Sequence, residues 1–182
     1  DKSRVAWGKT TAKPHAMTMR SRTAAFGVIE SPDGVLLVAN RRGRGRLDWT
    51  PPGGLVDRGE SSIEALTREV REESGLMATE WPTLLYTAEV QFRETDRPKN
   101  LYIEVWQAGT WGGELSFYDH DGVVEHGVFA DNYLALYLMR RAAKWIRQPL
   151  GQWLINPWPD DEPQEFSYRV TGNWPDQKSE QT

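Results

Sequence analysis

Glu69, Glu72 and Glu73 fall within a span of five residues, near the end of a run that begins at Gly54 and closes at Leu76. Residues three and four apart are neighbours on a helix, so the three carboxylates share one face. Unaided, that arrangement is unfavourable. Each like-charge pair costs about 0.2–0.5 kcal/mol, and each carboxylate in the last turn opposes the helix dipole by roughly 0.3–1 kcal/mol. A hard divalent cation reverses the sign of both effects, and such cations take oxygen ligands. The plain alternative is a solvated charged face, to which Arg68, Arg71 and an i,i+4 pairing of Glu64 with Arg68 lend weight. The crowding of the glutamates favours the metal.

Five residues separate Gly54 from Glu60 and seven separate Glu60 from Arg68; Glu69, Val70, Glu72, Glu73, Gly75 and Leu76 then follow at fixed spacing. This run resembles the Nudix box of the Nudix hydrolases, with all nine fixed positions of the 23-residue pattern filled. The resemblance implies an enzyme that cleaves a nucleoside diphosphate linked to another group, by attack of water on phosphorus with the help of Mg2+ or sometimes Mn2+. It implies Glu69, Glu72, Glu73 and the main-chain carbonyl of Gly54 as metal ligands, with Glu69 and Glu73 the best placed to converge on one ion. It implies that Arg68 orients these glutamates by ion pairing and that Glu60 supports the arrangement. Gly53 and Gly54 let the backbone turn tightly toward the metal. Pro52 is usual for the family, whereas Pro51 stands where Leu is commoner. The general base stays open between Glu72 and the later residues Asp119, His120, Asp121 and Glu125. Of these, Glu125 resembles the acid often found before the last strand of the fold, with a metal or base role.

Arg41, Arg42, Arg44 and Arg46 precede the box. They form either a solvated basic loop or a contact for substrate phosphate through bidentate hydrogen bonds; Arg41, directly after a strand, has the best-fixed direction, and Arg42 is the second candidate. Beyond the box, family members acting on ADP-ribose often carry a proline, and dinucleoside polyphosphate hydrolases a tyrosine. Here Gln91, Phe92 and Arg93 stand in that region, and Phe92 is the candidate substrate contact. By elimination, a nucleoside triphosphate, including oxidised purine nucleotides, is the expected substrate. ADP-ribose or a nucleotide sugar is the alternative, and a nucleotide-binding sensor without turnover a further one.

These residues need a frame. Ser61 to Glu64 has the form of a capping box, and Gly75 suits a helix end, so a helix is expected from about Ser62 to Ser74. Ile63, Leu66, Val70 and, less strongly, Thr67 would pack on a sheet. Strands are expected over Thr23–Glu30, Val35–Ala39, Trp81–Phe92, Leu101–Gln107 and Val123–Phe129, with turns at Ser31–Gly34 and Trp111–Gly113. A second helix, capped by Asp131 or Asn132 and ended by Pro149, would bury Leu134, Tyr137, Leu138 and Trp145. Strands interleaved with helices indicate an α/β layered domain, and the resemblance specifies an α/β/α sandwich around a mixed sheet. Its expected bounds are 23–148, after an N-terminal arm (1–22) and before a Pro/Trp-rich C-terminal tail (149–182) that wraps the surface or stays loose.

The 182 residues carry a net charge of −4 with a pI near 5.5, which disfavours extended nucleic-acid binding. The expected partner is a small nucleotide, not a nucleic-acid polymer or a membrane, and a homodimer is compatible with the tail. Cysteine is absent. That excludes thiolate metal sites and a cysteine nucleophile, and it suits the reducing cytoplasm. There is no apolar run of membrane-span length and no signal-peptide core.

Overall fold

Two cores share one central strand. In the computed structural model, which describes residues 20–93, 99–117, 124–159 and 162–171, strand β1 (Arg20–Val28) turns Ala24, Phe26 and Val28 to one face and Ala25 to the other. Strict alternation across a pleated strand is what lets one strand serve two cores. Around it, β5 (Gly53–Leu55), β7 (Thr83–Arg93), β8 (Lys99–Gln107) and β11 (Gln164–Thr171) make a five-stranded sheet in the order β11-β7-β8-β1-β5. It is mixed: β1 runs parallel to β8 and antiparallel to β5, β7 antiparallel to β8, and β11 parallel to β7.

A second sheet is built on β3 (Gly34–Arg41), which pairs with β10 (Val124–Ala130) along one side. Along the other, β3 meets β2 (Glu30–Ser31) near its start and β4 (Leu47–Thr50) near its end. The turn expected at Ser31–Gly34 joins β2 to β3. A two-stranded ladder of β6 (Met77–Ala78) and β9 (Trp111–Gly112) replaces the simple turn expected at Trp111–Gly113.

Helix α1 (Ser62–Ser74) has the expected bounds and covers one face. Leu66 and Val70 join Ala25, Ile29, Leu36, Leu76, Ala78 and Trp81 in the smaller core. Here Gly27 is required for space, since a Cβ on it would stand 2.6 Å from the Trp81 ring. The opposite face is covered by α2 (Asn132–Leu138) and α3 (Lys144–Ile155), over the larger core of Val28, Leu37, Tyr86, Val90, Ile103, Met139, Ile146 and Leu150. The result is the α/β/α arrangement expected. Among the described residues no helix is long and apolar enough to cross a membrane.

The C-terminal third departs from expectation. Asp131 does cap α2, its Oδ1 accepting from the Leu134 N–H at 2.8 Å. The helix then breaks through a 3-10 turn at Met139–Arg141, and Ala142 is extended (ψ 161°). Ala135 and Met139 are buried in place of Leu134 and Tyr137, which are 39% and 60% exposed; Leu138 and Trp145 are partly buried against the larger core. Pro149 lies inside α3 and does not end it. A proline here cannot donate to the Trp145 carbonyl four residues earlier. The buried Tyr86 hydroxyl donates to that carbonyl instead, at 3.2 Å, and reaches Ile146 O at 3.4 Å. The expected boundary after Gln148 therefore falls within a helix, and residues 164–171 form a strand of the main sheet. At the other end, β1 starts at Arg20, inside the expected arm; residues 1–19 and 172–182 lie outside the described residues.

Candidate active site

The expected capping box is present at the start of α1. Ser61 Oγ accepts from the Glu64 N–H at 3.1 Å, and Glu64 Oε2 accepts from the Ser61 N–H at 2.8 Å. This commits Glu64 to the helix start, and Arg68 turns to Glu60. Its guanidinium donates through Nε to Glu60 Oε2 at 2.8 Å and through Nη2 to Glu60 Oε1 at 2.9 Å, a bidentate fork. The remaining nitrogen, Nη1, donates to Glu69 Oε1 at 3.0 Å and Glu72 Oε2 at 3.3 Å. One arginine thus links an acid before the helix to two acids on its last turns.

Asp57 belongs to the same cluster and was not among the expected residues. Its Oδ2 lies 3.5 Å from Arg68 Nη2, and its N–H donates to Glu60 Oε1 at 2.9 Å. The sequence signal is turn chemistry: Asp57-Arg-Gly-Glu60 closes with the Glu60 N–H on the Asp57 carbonyl at 3.0 Å, with Gly59 left-handed at φ +89°.

The loop facing the helix is stitched to β1. Gly27 N–H donates to Pro52 O at 2.9 Å and Val56 N–H to Thr23 O at 2.8 Å. On this fixed loop, Gly53 N–H donates to Glu73 Oε2 at 3.0 Å. A Cβ on Gly54 would stand 2.7 Å from Glu69 Oε1, so only glycine lets the carboxylate approach the backbone this closely. Both expected glycines, 53 and 54, lie against the expected glutamates.

The three carboxylates differ in setting. Glu69 is 18% exposed at its side chain, whereas Glu72 is 53% exposed. Burial pushes the Glu69 carboxyl above its ordinary range despite the opposing pull of Arg68. The hydrogen bonds from Arg68, followed by that from the Asp57 N–H, hold Glu60 down at about 2. Its tie to Glu60 raises the Arg68 guanidinium, which stays charged. Among the described residues no three acidic or imidazole side chains stand ready as a closed metal cage. The donor chemistry fits a hard cation all the same: three carboxylates and the Gly54 carbonyl, with Glu69 desolvated beside the backbone.

The other expected site residues are more scattered. Arg41 is exposed at the end of β3. Arg42 Nε lies 3.4 Å from Asp48 Oδ2, and Arg46 Nε 3.2 Å from Asp48 Oδ1, so a buried carboxylate fixes this arginine loop from within. Phe92 is 2% exposed, its ring edge-on to Trp145 at 5.8 Å. It lies in the larger core because even-numbered positions of β7 face α3, and in this arrangement it supports Trp145 instead of offering a face to a base. Glu125 falls at a backbone register shift in β10, between Val124 opposite Asn40 and His126 opposite Ala39. Asp119, His120 and Asp121 lie outside the described residues.

Several known proteins are similar to this chain. The oxidized purine nucleoside triphosphate hydrolase of Danio rerio is 26% identical over 134 residues, 69% of this chain and 84% of the relative. The ADP-ribose pyrophosphatase of Methanocaldococcus jannaschii is 32% identical over 69 residues, 38% of this chain, and this chain spans 41% of that protein's length. The asymmetrical bis(5'-nucleosyl)-tetraphosphatase of Mus musculus is 30% identical over 84 residues, 46% of this chain and 50% of that protein. Among solved structures, the MutT protein of Bacillus halodurans superimposes with a TM-score of 0.59 at 23% identity, covering 82% of this chain and 90% of that one. The NUDIX domain family matches residues 20–148, and with the box, the fold and the glutamate cluster in agreement, the chain belongs to the Nudix hydrolases.

Proposed function

We propose that this chain is a divalent-cation-dependent nucleotide pyrophosphohydrolase that acts first on nucleoside triphosphates, oxidised purine nucleotides among them, giving the monophosphate and pyrophosphate. The observation that carries the reading is the Glu69 carboxylate, desolvated against the Gly54 backbone and shared with Arg68. A carboxylate in that setting gains from a cation beside it. Glu69, Glu72, Glu73 and the Gly54 carbonyl are the proposed ligands for Mg2+, with Mn2+ a workable substitute. The bound ion would neutralise charge on the phosphate oxygens and acidify a water.

The chain's own residues supply the rest. Gly53 N–H holds the Glu73 carboxylate, and the Glu60–Arg68 fork sets the plane from which Glu69 and Glu72 are held. Glu72, the more solvent-open of the two carboxylates on Arg68, is assigned the proton of the attacking water. Asp57 joins Glu60 as a positioning group on Arg68. Arg41, exposed at its strand end, is assigned to substrate phosphate. Of the three relatives, the alignment with the purine nucleoside triphosphate hydrolase spans most of both chains and supports the triphosphate reading. The stretch shared with the ADP-ribose pyrophosphatase supports ADP-ribose or a nucleotide sugar as the second reading. A small nucleotide, not a polymer, suits a chain of net charge −4, and the absence of cysteine suits a cytoplasmic setting.

The test is product analysis with Mg2+ over a panel of canonical and 8-oxo nucleoside triphosphates, ADP-ribose, nucleotide sugars and dinucleoside polyphosphates. Faster turnover of a triphosphate than of every other compound supports the first reading. Preference for ADP-ribose would replace it with the second, and binding without turnover would leave a sensor.

A further inference from the structure

Strand β11 closes one side of the main sheet, and among the described residues it pairs with β7 alone. Among the described residues nothing pairs with its other edge over these eight residues. Sheet edges are normally blunted by charged side chains (lysine above all), proline, a bulge or short length, and the two charges of β11, Glu165 and Arg169, are of opposite sign. β11, with the sequence Gln-Glu-Phe-Ser-Tyr-Arg-Val-Thr, contains no lysine or proline and pairs with β7 in unbroken register. Its faces are cleanly divided: Phe166, Tyr168 and Val170 are half-buried toward α3, whereas Glu165, Ser167, Arg169 and Thr171 are exposed.

We propose that the open edge of β11 pairs with the β11 of a second copy, antiparallel and centred on Ser167, so that the main sheet runs continuously through a twofold dimer. The argument is charge complementarity within the strand itself. A twofold centred on Ser167 sets Glu165 opposite Arg169 of the second copy, and Arg169 opposite Glu165. The same register sets Phe166 opposite Tyr168 twice on the α3 side and Gln164 opposite Val170, and every facing pair lies on one face of the sheet. Opposite charges and aromatic pairs directly across an antiparallel ladder stabilise it, and like charges there destabilise it. Moving the centre to Tyr168 sets Glu165 opposite Thr171 and Ser167 opposite Arg169, which loses both ion pairs. The edge is therefore complementary to itself in one register, as a twofold interface requires.

The chain has no cysteine, which makes a sharp test available in the full-length protein. Ser167→Cys places the new thiol on the proposed axis, facing its copy within the Cα separation of about 4.4–6.8 Å that a disulfide needs. Glu165→Cys, equally exposed, puts its copy four residues out of step, roughly 14 Å along the strand, and is the control. Under mild oxidation Ser167→Cys should form interchain disulfides rapidly and Glu165→Cys should not. In sedimentation equilibrium, Arg169→Glu should weaken the dimer about tenfold. The double swap Glu165→Arg with Arg169→Glu should restore it, which a purely structural role for either residue would not produce. A chain that stays monomeric at tens of micromolar, a dimer in which Ser167→Cys cross-links no faster than Glu165→Cys, or a double swap no better than the single change would each overturn the proposal.

Discussion

At the scale of residues, the box was legible because its chemistry is local. Spacings of one, three and four place Arg68, Glu69, Glu72 and Glu73 together whatever the rest of the fold does. What spacing could not give was the choice of partner for Arg68. Glu64 is one helical turn away, yet its carboxylate closes the capping box, and Glu60 takes the guanidinium fork. Three expectations follow from these settings. Glu73→Gln should keep its fold by circular dichroism and lose at least about 100-fold in turnover, because it removes a proposed metal ligand and the charge of an acceptor fixed to Gly53 N–H. Glu60→Gln should matter to stability according to pH. The Glu60 carboxyl is held at about 2 against an ordinary 4.5, so its stabilising effect is complete above 4.5 and vanishes as pH falls toward 2. Urea titrations of wild type and variant should therefore differ most at neutral pH and converge in strong acid. Glu69 has the opposite sign. Its carboxyl is raised by burial, so its ionised form costs stability at neutral pH. In chelator, Glu69→Gln should melt a few degrees higher than wild type near neutrality, the advantage disappearing in acid, while turnover with Mg2+ is lost.

At the scale of elements, helix α1 and the strands β1, β3, β7, β8 and β10 were legible from caps and periodicity, whereas β4 and β5, four and three residues beside the arginine loop and the box, were not. The failures have separate physical causes. β6 and β9 are two residues each, too short to show any period. The single long helix expected after Asp131 is two helices, since the break at Met139–Arg141 turns Ile146 and Leu150 onto the same core as Ala135 and Met139. Pro149 reads as a stop signal because a helix rarely tolerates the carbonyl it orphans. Here the remedy comes from Tyr86, 59 residues away from Trp145 in sequence, and no local pattern could reveal it. Tyr86→Phe should cost about 1–3 kcal/mol in urea unfolding, the usual cost of leaving a buried polar group unsatisfied. Gly27→Ala should cost a similar amount, about 1–3 kcal/mol by overpacking, with the added methyl meeting the Trp81 ring. A loss below about 0.5 kcal/mol in either variant would mean that the site relaxes more easily than the contacts imply.

At the scale of the whole molecule, the layered α/β arrangement was legible, but the packing onto it of residues beyond Gln148 was not. Proline and tryptophan content made residues 149–182 read as a tail. Yet Leu150, Trp153 and Leu154 are buried, and Phe166 packs edge-on to Tyr86 at 5.7 Å. Each large buried side chain contributes about 1.5–3 kcal/mol, so a chain cut after Gln148 forfeits more than marginal stability allows. It should be insoluble or unfolded by circular dichroism. The parallel pairing of β11 with β7 also has a bearing on synthesis. Each residue of β7 leaves the ribosome 78 residues before its partner, Tyr86 before Gln164 and Arg93 before Thr171, and a parallel ladder of that separation closes slowly. During translation β7 therefore waits with one edge bare, and that interval is when neighbouring nascent chains or a chaperone can reach it.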